Sequence, residues 1–336
     1  MSGIRPTWVA GAAAGLLALG VVGGIATRSD TSEDAPTTAS VATPTTTPRE
    51  DDPTMDTMPT TPAPDAARGS GLSATLRGSS ATPLAPTASP VTPARSDRAT
   101  TADLHAAYTR DLGDLAERSG VAIVPVGGAD AVRLGTVTED VAWSTIKVPV
   151  VLAAERESGW PAVQERAHGA ITVSDNDDAA ALWAGLGEGR TAAAKVEAVL
   201  ADVGDTTRVN PEVTRAGFSP FGQTRWSTTS QATTMARLRC RSDANRALDL
   251  MTRVVPAQRW GLGRAPGAPV KGGWGPLPGG GYLVRQMAVI PTSGGEAGIA
   301  VIVRHPGGFE SGTKDLDRIA RWLDAHGADL PGGHCA

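Results

Sequence analysis

The sequence predicts an α/β fold: one antiparallel sheet assembled from distant chain segments, packed against terminal helices, with an all-helical lobe beside it. Three observations predict it. Short β-rich runs stand near the start of the folded region and again near its end. Between them the apolar residues recur at helical spacing. An amphipathic helix flanks the strands at each end of the region, as a two-layer arrangement requires.

The elements follow in order. Residues 102–119 carry Leu104, Tyr108, Leu112 and Leu115 at helical spacing, with Asp103, Asp111, Asp114 and Glu117 between them. Residues 121–124 and 131–134 read as short strands joined around Gly127 and Gly128, a hairpin pattern. Residues 144–157 form a second helix, and 178–185, 192–202, 229–239 and 245–254 make a helix-rich middle. Strands are predicted near 270–274, 282–290 and 299–304, before a last helix through Leu316, Ile319, Trp322 and Leu323. A functional site is expected in the crevice between sheet and lobe.

The chain has 336 residues, more than this domain needs. Residues 8–26 are an uncharged apolar run which, as a helix, would be about 28 Å long. It reads as a membrane anchor within a segment 1–26, which would place the C-terminal domain outside a cell membrane as a single-pass protein. The rival reading is a cleaved signal with small residues Gly24 and Ala26 near its end, leaving a secreted protein. Residues 27–98 hold eleven prolines, sixteen threonines and no aromatic residue, so they cannot bury enough apolar surface to fold and read as a linker. The folded domain is then 99–336. A net charge of −4 offers no basis for nucleic-acid binding.

Cys240 ends a predicted helix and Cys335 is the penultimate residue; in an exported chain they are expected to pair. Two cysteines and five scattered histidines make no metal-ligand pattern, and no cofactor is expected. A monomer is expected.

The chemistry lies in three short segments. In the first, Ser144 precedes Lys147 by three residues at a helix start, so both side chains share one face. A desolvated, partly deprotonated Lys147 would take the Ser144 proton and make a nucleophile without histidine. The second is Ser174-Asp175-Asn176, in which Ser174 would pass a proton to a leaving group and Asn176 would hold Lys147 or a substrate amide. In the third, Lys271-Gly272-Gly273-Trp274 lies in a predicted strand, where a lysine would meet a substrate carboxylate and the glycines leave room along the strand edge. Each segment also has a plain structural reading: a helix start, a helix cap and a glycine-containing loop.

In order, the three resemble the S-x-x-K, S-D-N and K-T-G signatures of the serine β-lactamase and penicillin-binding protein superfamily. With AWSTIKVP, SDNDDAAALW, FGQTRW and GYLVRQM, the chain is similar to a group of exported actinobacterial class A β-lactamase-like serine hydrolases. The resemblance spans about residues 101–335 and implies a β-lactamase-like sandwich with a helical lobe. It makes Ser144 the acylated serine, Lys147 its base, Ser174 and Asn176 the middle motif, and Lys271 the third-motif cation. Gly272 and Gly273 would border the substrate, and the N–H groups of Ser144 and Trp274 would form an oxyanion hole. The chain departs from the pattern in three places. Gly272 stands where a hydroxyl residue is usual. Only thirty residues separate Ser144 from Ser174, which implies a reduced lobe. The omega-loop pattern R-x-E-x-x-L-N is not matched by the segment ending in Glu212, which is either a deacylating base or a solvated loop acid.

The resemblance implies a serine hydrolase or acyl-transferase acting on β-lactams or peptidoglycan-like peptide amides through an acyl-enzyme, with weak turnover. The departures support an alternative: a catalytically silent protein of the same fold that binds cell-wall peptide or a protein partner.

Overall fold

A computed structural model describes residues 99–336. The segments 1–26 and 27–98 of the sequence reading lie outside the described residues. The expectation of a membrane-spanning helix and a single-pass location is corrected: among the described residues no helix is long and apolar enough to cross a membrane. The run 8–26, on which that expectation rested, lies outside them, and no membrane topology is carried forward.

The first helix, α1 (Thr101–Leu112), is opened by a capping box. The Thr100 side chain accepts from the Asp103 amide while the Asp103 carboxylate accepts from the Thr100 amide. The helix expected to run through 119 breaks at Gly113, whose φ of 54° is left-handed, and α2 (Asp114–Glu117) follows. Five strands form the main sheet: β1 (Ser119–Pro125), β2 (Val132–Gly135), β5 (Val270–Pro276), β6 (Tyr282–Thr292) and β7 (Gly295–His305). Their order is β2-β1-β7-β6-β5 and every pair is antiparallel. This is the expected sheet built from both ends of the domain. A second, two-stranded sheet joins β3 (Glu139–Val141) to β4 (Arg225–Ser227).

Side-chain alternation divides the sheet into two buried faces. Val121, Ile123, Val284, Ile299, Val301 and Val303 pack with Leu104, Tyr108, Leu316, Ile319 and Trp322 of α1 and of α9 (Phe309–Ala325). Ala122, Val124, Met287, Val289 and Ala300 belong to the other core, which they share with the helical lobe. The lobe contains α3 (Lys147–Ser158), α4 (Trp160–His168), α5 (Asn176–Gly185), α6 (Gly189–Asp202) and α8 (Asn245–Thr252). Helix α7 (Thr228–Leu238) lies against β1 and β7 and connects the two layers. Beyond its end, Cys240 is bonded to Cys335, with Cα atoms 5.3 Å apart and 95 residues of chain between them.

Candidate active site

Ser144 occupies a 3-10 turn, Trp143–Ile146, immediately before α3, and not the helix itself. Trp143 ahead of it has a φ of 47°, a left-handed conformation that costs a non-glycine residue about 1–2 kcal/mol. Lys147 is the first residue of α3, so Pro149 falls in its first turn, where a missing N–H is tolerated.

A buried polar network braces this turn from beneath. Ala142 O accepts from Thr145 Oγ1 at 2.6 Å, and Thr145 Oγ1 accepts from Gln231 Nε2 at 2.7 Å. Gln231 Oε1 accepts in turn from Arg285 Nη2. The same guanidinium donates to Asp140 O at 2.8 Å, Val141 O at 2.9 Å and Trp226 O at 3.0 Å. Arg285 is fully buried on β6; burial pushes its pKa down, and Asp140 and Glu139 oppose the shift. It ties β3 and β4 to the sheet just ahead of Ser144.

The third segment reaches Ser144 because β5 carries glycine at the point of contact. Gly273 pairs with Arg285, and a Cβ built on Gly273 would lie 2.8 Å from Ala142 O and 2.9 Å from Ser144 N. Only hydrogen allows the strand so near the turn. As the edge strand, β5 leaves alternate backbone N–H groups without sheet partners, and Trp274 stands beside the same cavity.

The middle segment follows a single wide turn, Gly169–Val173, that closes α4. Ser174 takes the left-handed conformation, φ 61° and ψ 35°, and Asp175 then caps α5 by accepting from the Asp178 amide at 2.8 Å. That reversal turns two carbonyls and an amide side chain onto Lys147. Its Nζ donates to Ser174 O at 2.7 Å, Asp175 O at 2.9 Å and Asn176 Oδ1 at 2.8 Å. Burial pulls the Lys147 pKa down to about 8, against the nearby Asp175 and Asp178 carboxylates, which support the charge. Lys271 is wholly buried and donates to Ser174 Oγ at 2.8 Å and to Gly272 O at 3.1 Å. Burial, and secondarily the charge of Lys147, hold its pKa well below the usual lysine range.

Ser144, Lys147, Ser174, Asn176 and Trp274 line one cavity of about 240 Å³, with Phe218 and Phe221 among the facing residues. Ser144 Oγ makes no hydrogen bond to a described residue, whereas all three Lys147 donor positions are taken. Gly272 and Gly273 are buried on β5 behind this lining. Glu212 is not brought in: its side chain is exposed, it does not line the cavity, and its carbonyl accepts from Asn210 Nδ2. No carboxylate stands among the described lining residues. Nor do three His, Cys, Asp or Glu side chains cluster as metal ligands among the described residues.

Sequence reasoning did not find Arg285 and Gln231, or the wall built by Phe218 and Ser219. Gln223 holds that wall, its Nε2 reaching Arg215 O, Phe218 O and Ser219 O at 3.2–3.3 Å. The glutamine within FGQTRW was the available signal, since a buried amide in a glycine-containing loop needs backbone partners.

No family model matches the chain, and no curated protein matches it. Solved structures do. A TLA-3 extended-spectrum β-lactamase is 14% identical, over 67% of this chain and 98% of that one, with a TM-score of 0.53. A class A β-lactamase from Mycobacterium abscessus is 19% identical over 68% and 100%, with a TM-score of 0.52. A reconstructed last common ancestor of Gram-negative class A β-lactamases is 20% identical over 65% and 98%, at 0.50. These likenesses show a class A β-lactamase-like fold and extend to no narrower group.

Proposed function

We propose that the domain is a serine hydrolase or acyl-transferase in which Ser144 is acylated by an amide or ester carbonyl. The observation that carries the reading is the meeting of Ser144, Lys147 and Ser174 at one cavity, with Lys271 bonded to Ser174 from behind. Ser144 Oγ forms the new bond to the carbonyl carbon. Its proton passes to the neutral form of Lys147, which must release one of its three present contacts to receive it. The bond from carbonyl carbon to leaving nitrogen or oxygen then breaks, and the leaving atom takes a proton from Ser174, which recovers one from Lys147. Backbone N–H groups of Ser144 and Trp274 are the donors to the developing oxyanion. Without a carboxylate in the cavity lining to activate water, the acyl-enzyme persists and turnover is slow. β-Lactams and peptide amides are the proposed substrate classes.

The test is intact-mass measurement of the full chain after exposure to a fluorophosphonate, which forms a bond to an activated serine as fluoride leaves. The wild type is expected to gain one adduct and Ser144→Ala none. An unlabelled wild type that remains folded would remove the catalytic reading.

One observation favours a second reading. Lys147 is fully committed to acceptors other than Ser144, as in a structural cation holding two segments together. A silent binding protein would bind peptidoglycan fragments equally with and without S144A and would hydrolyse nothing.

A further inference from the structure

Resting on the acylation reading above, we infer that this cavity takes uncharged acyl donors and discriminates against substrates that carry a carboxylate beside the reacting bond.

Three observations carry this. First, no cation with a free donor stands among the described lining residues. The Lys147 ammonium spends its three donors on Ser174 O, Asp175 O and Asn176 Oδ1. Lys271 does not line the cavity: it is wholly buried, with Ser174 Oγ and Gly272 O as its acceptors. No arginine stands among the described lining residues, so a carboxylate entering here would lose water and gain no free cation.

Second, the nearby fixed charges are acidic. Asp175, Asp177 and Asp178 open α5, and Asp175 and Asp178 lie near enough to Lys147 to support its charge. These carboxylates oppose the positive charge of Lys147 at the cavity and would repel an entering anion.

Third, the strand edge beside Lys271 is apolar where a side-chain donor would have to stand. A Cβ on Gly272 would already lie 3.1 Å from the Trp260 ring and 3.5 Å from the Trp274 ring. Trp260, Trp274 and Phe309 pack edge-on or tilted, with centroids 5.2–6.1 Å apart, and fill that space. Neutral donors remain: Asn176 lines the cavity, and with Oδ1 on Lys147 its Nδ2 has no described partner. Trp143, Phe218, Phe221 and Trp274 supply apolar wall for an uncharged group.

The test compares benzylpenicillin with its methyl ester on the full chain, following adduct mass against time. In both, Ser144 Oγ bonds to the lactam carbonyl, the ring C–N bond opens and the nitrogen takes the proton, so the whole probe mass is added. The two differ in the charge next to the ring nitrogen and by one methyl group. The methyl ester is expected to acylate at least tenfold faster. Equal rates, or a faster free acid, would overturn the inference while leaving acylation of Ser144 intact. Failure of both would overturn it too, and the fluorophosphonate result then shows separately whether the acylation reading survives.

Discussion

Lys147 and Arg285 are both buried cations, and the structure treats them differently. Lys147 is held by three acceptors yet its pKa lies near 8, so at neutral pH most molecules carry it protonated. A base must be unprotonated, so labelling of Ser144 is expected to rise about tenfold per pH unit below 8 and to level off above it. A profile that is flat from pH 6 to 9 would remove Lys147 from that role. Arg285 has four acceptors drawn from three chain segments, a geometry that a lysine cannot span. Arg285→Met removes the donor shared by Asp140 O, Val141 O, Trp226 O and Gln231 Oε1 and is expected to lower the thermal midpoint by roughly 5–10 °C. Arg285→Lys should not restore it, and both variants should label more slowly at Ser144, because position 285 braces the turn that carries this proposed nucleophile. A midpoint within 2 °C of wild type would contradict this account of the network.

At the scale of elements, the approach of β5 to the Trp143–Ile146 turn decides whether a site exists. Gly273→Ala puts a methyl group against Ala142 O and Ser144 N, and labelling is expected to fall at least tenfold. Gly185→Ala, on α5 with open space around the new methyl, should leave labelling unchanged. Equal loss in both variants would detach the effect from the β5 contact. The same contact shows what could be read in advance. The strands of the main sheet and most helices were legible because apolar residues alternate or recur over long enough stretches, as in β7 and α9. Helix α4 was not, because it follows Gly159 directly and carries Pro161 in its first turn, which reads as a connection. β3 and β4 are three residues each, too short for a period, and Ser144 seemed to open a helix that in fact begins at Lys147. The three polar motifs were visible as residue types. Arg285 was not, since a lone arginine in an apolar strand gives no sign of the four groups that the fold brings to it.

At the scale of the molecule, the disulfide lies apart from the residues that line the cavity. The Cys240–Cys335 bond ties the end of α7 to the chain terminus across 95 residues, and Gly333 adds a bridge to Glu296 on β7. Cys335→Ser is expected to cost about 2–5 kcal/mol of unfolding free energy. Labelling of Ser144 at 25 °C should persist, because neither cysteine stands among the described residues that line the cavity. Lost labelling in a still-folded variant would mean that the terminus shapes the site. The fold as a whole was legible because it arises from burial patterning, whereas the exposed position of Glu212 depends on the path of a loop that patterning does not describe. The most direct test of the whole account is the location of the covalent adduct, found by peptide mass spectrometry of the fluorophosphonate-treated full chain. The account predicts the added mass on Ser144 alone; added mass on Ser174 or another residue, with Ser144 unmodified, would contradict it.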